Sequence, residues 1–279
     1  MIKSVNNLII PWGVVIILFL ATIFFRLISV PAENLIDRSV FIWFIYDQLP
    51  SLFALFYVFL KTHEFIRFSY FQIEIKKWYR YLLFVLVVTG IVLISFSIVS
   101  LFETAPVLMQ LNIINDLTKN FSILFYIKIL LLAPFFEELV FRGVLLNGFL
   151  NRYSPAKSIL ITSLLFSILH LNSMQLIIAF LLGLFTGWYF YKTRNLLSCI
   201  LIHTLSNLIG ITIIKYSVDK LHYQVITSDT RFFQIDNLWL VILSALSLLI
   251  VGFFYLFKSV MEDHSNKNLA NDIMEPDVS

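Results

Sequence analysis

Eight apolar stretches of roughly twenty residues divide the chain, at about 8–30, 40–60, 80–101, 122–150, 157–172, 174–191, 196–215 and 237–258. A helix rises about 1.5 Å per residue, so stretches of this length suit a membrane crossing. The pattern predicts an all-α polytopic membrane protein with about eight transmembrane helices and a conical or bundled core. The fourth stretch is too long for a plain span, and Pro134 within it predicts a kink. The run Leu8–Phe25 exceeds a signal-peptide core and is read as a retained first helix, despite the cleavage-like Val30-Pro31-Ala32. Polar residues Met261–Ser279 are expected to form a disordered tail. The chain divides into three N-terminal helices (1–121), a core of four helices bearing polar groups (122–215), a loop with the eighth helix (216–260) and the tail (261–279). No repeat of 20–50 residues is visible.

Composition sharpens this reading. Only 13% of residues are charged, against about 25% in a soluble domain. The net charge of +3 comes without a run of Lys and Arg, so no nucleic-acid partner is expected. A single cysteine, Cys199, excludes an internal disulfide and a Cys-based metal cluster; it reads as a small apolar filler. The loop between the second and third stretches carries Lys61, Arg67, Lys76, Lys77 and Arg80. With the N-terminus inside, inward segments collect twelve basic residues and outward loops five. Both termini are therefore expected in the cytoplasm.

Against this apolar background, charged residues at membrane depth stand out, each costing about 2.5 kcal/mol or more even on a lenient insertion scale. Glu137 and Glu138 lie side by side in the fourth stretch, followed by Arg142. Residues four apart share a helix face, so Glu138 pairs with Arg142 while Glu137 points about 100° away. His170 closes the fifth stretch, with Phe166 on its face, and His203 and Asn207 share a face of the seventh. Counted from the inner helix ends, Glu137 and His170 lie about 20 Å deep, Asn207 about 16 Å and His203 about 10 Å. These groups can meet in one layer. A carboxylate and an imidazole can share and deprotonate a water, and burial strengthens the carboxylate as a base. An imidazole and an amide can stabilise an oxyanion. The set describes amide hydrolysis without a serine or cysteine nucleophile. Glu137, His170 and His203 are equally a ligand set for Zn²⁺. The residues alone leave both versions open. Arg26, Asp47 and Lys128, within spans, and His63, His222 and His264, outside them, are assigned no catalytic role.

Three separated motifs resemble the CAAX-protease and bacteriocin-processing (Abi) family of intramembrane proteases: Glu-Glu-x-x-x-Arg at Glu137, Glu138 and Arg142, Phe-x-x-x-His at Phe166 and His170, and His-x-x-x-Asn at His203 and Asn207. Gly183, Gly187 and Tyr191-Lys192-Thr193 look similar too. The resemblance covers about residues 122–215. It implies an eight-helix fold and endopeptidase activity, with Glu137 and His170 activating water, His203 and Asn207 stabilising the oxyanion, and Arg142 organising the acids. It favours a metal-free reaction. The expected substrate is a membrane-associated peptide or protein in a bacterial plasma membrane, in bacteriocin processing or self-immunity, with a CAAX-type prenyl-protein activity as one alternative. A non-catalytic immunity protein that binds a toxin or its receptor is another. A proton-coupled carrier is a third, disfavoured by the lack of internal repeats.

Overall fold

The computed structural model describes residues 70–102, 123–170, 173–224 and 237–274. The first two apolar stretches lie outside them, as do Arg26, Asp47 and His63, and nothing is placed for the side chains of His222 and His264. Every element among the described residues is helical. A short 3₁₀ turn, Ile75–Lys77, leads into α1 (Tyr79–Phe102). α2 is one helical run over 123–150 that changes register along its length. It is α-helical at Ile123–Ile127, π-helical at Lys128–Leu132, α-helical at Ala133–Glu138, π-helical at Leu139–Leu146 and α-helical at Asn147–Leu150. α3 (Pro155–Ile168), α4 (Ser173–Thr193), α5 (Leu196–Gln224) and α6 (Leu238–Met274) follow.

These six helices occupy the third to eighth apolar stretches. Four segments are long and apolar enough to cross a membrane: Tyr79–Leu101, Gln175–Thr193, Leu196–Tyr216 and Leu238–Asp263. α3 has 14 residues, a rise of about 21 Å, and is too short to span alone. The expected count of about eight spans thus stands at four among the described residues.

α1 is the buried spine of this bundle, with Val87, Val88 and Val92 fully enclosed. Its contact with α6 is close because both helices present a glycine. A Cβ on Gly90 would fall 2.6 Å from Leu249 Cγ, and one on Gly252 would fall 2.9 Å from Leu86 Cβ. α3 meets α4 in the same way, Gly183 against Ser163 and Gly187 against Ile159. Proline at the first position of α3 suits a helix start, where no N–H is needed. Arg194 takes φ 55°, the left-handed conformation that ends a helix. The chain therefore reverses from α4 into α5 within two residues.

The start of α1, the end of α6 and the α4–α5 turn are clamped at one end. Arg80, 2% exposed, bonds the Glu74 carboxylate (2.8 Å), the Ser259 carbonyl (2.7 Å) and hydroxyl (2.9 Å), and Asp263 (2.5 Å). Lys77 also pairs with Asp263, and Asn195 donates to the Gln72 carbonyl at 2.9 Å. Arg194 reaches Asn147 of α2. α6 runs on to Met274, past the start of the expected tail. Extending an established helix adds one hydrogen bond per residue fixed, and Asp263, inside the expected tail, is anchored to α1.

Candidate active site

The register changes in α2 begin at Pro134. In an α-helix its N–H would serve the Leu130 carbonyl, but proline has none. One residue earlier, the Ala133 N–H reaches back five residues to the Lys128 carbonyl. This widened turn takes the α-helical donor from Ile129 as well. Two side chains of α5 come to these carbonyls. Asn207 Nδ2 donates to Ile129 at 2.9 Å, and Thr204 Oγ1 donates to Leu130 at 2.8 Å. Glu137 and Glu138 close the short α-helical piece, and the second π segment begins directly after them. π turns inside α-helices occur frequently at functional sites.

Glu138 is fully buried. Its Oε2 lies 3.0 Å from Arg142 Nε, a charge contact without the alignment of a hydrogen bond. Arg142 Nη2 donates to Thr186 Oγ1 at 2.5 Å and to the Gly183 carbonyl at 3.3 Å. Thr186 in turn donates to Leu182 at 2.8 Å, which leaves its lone pairs for the guanidinium. That guanidinium lies over the Phe166 ring, 4.8 Å from its centroid. The same ring meets His170 and His203 edge-on, at 4.9 Å and 5.5 Å between centroids.

The two imidazoles are oriented by their Nδ1 atoms. His170 Nδ1 lies 2.9 Å from the Phe166 carbonyl, and His203 Nδ1 lies 3.0 Å from Glu138 Oε1. Both partners accept only, so each Nδ1 carries the proton. Each Nε2 lies 3.9 Å from Glu137 Oε2. The carboxylate thus faces two nitrogen atoms across gaps longer than a direct hydrogen bond.

The structure brings Glu137, Glu138, Arg142, His170 and His203 into one connected cluster. Asn207 joins it through the α2 backbone, and His203 bonds Glu138 instead of Asn207. The Glu138–Arg142 pairing and the separate heading of Glu137 are as the helical spacing predicts. Thr186, Thr204 and the central packing of Phe166 are additional; only Phe166 had a signal, its place four residues before His170.

Glu137 Oε2 lies 3.9 Å from each Nε2, wider than the roughly 3.4 Å edge of a tetrahedral zinc shell. Among the described residues no group of three or more His, Cys, Asp or Glu is arranged to hold a metal ion.

A family model described as type II CAAX prenyl endopeptidase Rce1-like matches residues 119–209. Over those residues the chain is similar to that family. The matched stretch holds all seven motif residues and both π segments of α2. Outside and within the matched stretch, four segments are long and apolar enough to cross a membrane, as an integral membrane protein requires. An uncharacterized 24.3 kDa protein of Escherichia coli is 38% identical over 94 residues, covering 32% of this chain and 43% of its own length. The chain therefore matches under half of that relative. No solved structure gives a significant match.

Proposed function

We propose that the protein is an intramembrane endopeptidase that hydrolyses peptide bonds of membrane-associated peptides or proteins with a water activated by Glu137 and His170, without a metal. The observation that carries this reading is the pair of 3.9 Å gaps between Glu137 Oε2 and the two imidazole Nε2 atoms. A water at about 2.8 Å from both atoms fits between Glu137 and His170. It gives one hydrogen to the carboxylate and the other to Nε2 of His170. Glu137 removes the first proton as the water oxygen attacks the scissile carbonyl. The new oxyanion accepts hydrogen bonds from His203 Nε2–H and from the second amide hydrogen of Asn207, whose first is held by Ile129. For His203 to donate there while Nδ1–H stays on Glu138, the ring is the imidazolium. Glu137 then passes its proton to the leaving amine, and the C–N bond breaks.

The substrate reading follows the Rce1-like segment only as far as a lipid-associated peptide. Bacteriocin processing or self-immunity in a bacterial plasma membrane is the setting we favour, with the clamped, basic end of the bundle facing the cytoplasm. The test is cleavage of a panel of quenched, membrane-soluble peptides by purified protein in detergent. Wild type, Glu137→Gln and His170→Ala are run with and without a zinc chelator. Cleavage lost in both variants and indifferent to chelator is expected. Loss with chelator and rescue by Zn²⁺ would move the same residues into a metal shell. Retained cleavage in Glu137→Gln would end the proposal.

A further inference from the structure

Threonines in this bundle have a common habit. Thr162, Thr186, Thr193 and Thr212 each bond the carbonyl four residues back in their own helix, at 2.8–2.9 Å. That local bond is an ordinary choice for a helical threonine. Thr204 does otherwise: its hydroxyl crosses from α5 to the Leu130 carbonyl of α2. Leu130 is the residue whose α-helical donor would be the N–H of position 134, and position 134 is proline. The neighbouring carbonyl, Ile129, receives Asn207 three residues further along α5. Two side chains on one face of α5 thus meet two successive carbonyls that the Pro134 turn deprives of their α-helical donors.

The place of this contact gives it a role. Thr204 follows His203 directly, and Glu137 follows Pro134 by three residues, close to one helical turn. In hydrocarbon no water substitutes for a missing donor, so a side chain that supplies one is held firmly. We infer that Thr204 is a positioning residue: its hydroxyl docks on the carbonyl that Pro134 deprives of its donor and sets His203 opposite Glu137. The role in catalysis rests on the endopeptidase reading; the docking does not.

A double-mutant cycle separates the two. Thr204→Val removes the hydroxyl, and Pro134→Ala returns an N–H to the Leu130 carbonyl. Thr204→Val should lower the thermal midpoint in detergent by about 2–4 °C in the Pro134 background. In the Pro134→Ala background the loss should largely vanish. An equal loss in both backgrounds would overturn the docking. Should Pro134→Ala fail to fold, Thr204→Ser replaces it in the comparison: the serine keeps the midpoint if the hydroxyl bond matters and loses it if only the methyl does. In the cleavage assay, Thr204→Val should lower kcat about tenfold or more at unchanged KM, with recovery in Thr204→Ser. A wild-type kcat in Thr204→Val would overturn the positioning role. If the wild type cleaves no peptide, the endopeptidase reading fails, while the midpoints still decide the docking.

Discussion

His203 gives its Nδ1–H to Oε1 of Glu138 at 3.0 Å. That bond settles which nitrogen meets Glu137, because Glu138 can only accept. Glu138→Gln keeps the shape but removes the negative charge that favours the His203 imidazolium, and with it the Nε2–H that the oxyanion needs. Peptide cleavage should fall roughly 10²–10³-fold, the scale of losing one oxyanion donor. The comparison of kcat with the thermal midpoint checks this; a variant that cleaves like wild type would show that His203 does not depend on Glu138.

Arg142 is held at three places, by Glu138, by Thr186 with Gly183, and by the Phe166 face. Arg142→Met leaves Glu138 buried without its countercharge and should cost about 3–5 kcal/mol of stability. Adding Glu138→Gln removes the stranded charge and should recover part of that loss. Arg142→Lys should recover little, since an ammonium lacks the planar fork that reaches several partners at once. Unfolding in a denaturing detergent series reads all three.

The α3–α4 contact carries both Phe166 and His170. A Cβ on Gly183 would meet Ser163 Cβ at 3.0 Å and its Cα at 3.1 Å. Gly183→Ala should therefore push α3 outward and reduce cleavage, and Ser163→Gly should restore it. Gly210 offers the opposite case, with nothing within 4 Å of an added Cβ. Gly210→Ala should be stabilising by about 0.5–1 kcal/mol, the helix-interior difference between the two residues. Thermal midpoints with cleavage rates distinguish the two glycines.

The Arg80 clamp joins the start of α1 to the end of α6 through Glu74, Ser259 and Asp263. Arg80→Met should lower the thermal midpoint while the folded protein keeps its KM for peptide. A shift in KM would tie α6 to substrate binding.

Much of the site was legible in the sequence because intrahelical spacing is geometric. Glu138 and Arg142 are four apart and pair; Glu137 is one residue off and faces elsewhere. Depth along the helices put His170 level with Glu137 but left His203 about 10 Å shallower. The remainder depends on contacts that leave no pattern in a one-dimensional reading. Asn207 and Thr204 bond backbone carbonyls, which every residue has, and Thr186 looks like any small polar residue in an apolar helix. Pro134 predicts a kink, but not that its consequence is a pair of docking points for another helix. The continuation of α6 to Met274 was hidden for a different reason. A polar stretch shows no apolar periodicity, and its first turn is held by Arg80 and Lys77 from a distant part of the chain.

A π turn is what an α-helix becomes when it absorbs one surplus residue. α2 does so before and after the acid pair, so Ala133–Glu138 is phased apart from the helical segments on either side. Loss of a single residue from either π turn would therefore rotate the carboxylates about 100° relative to one end of α2.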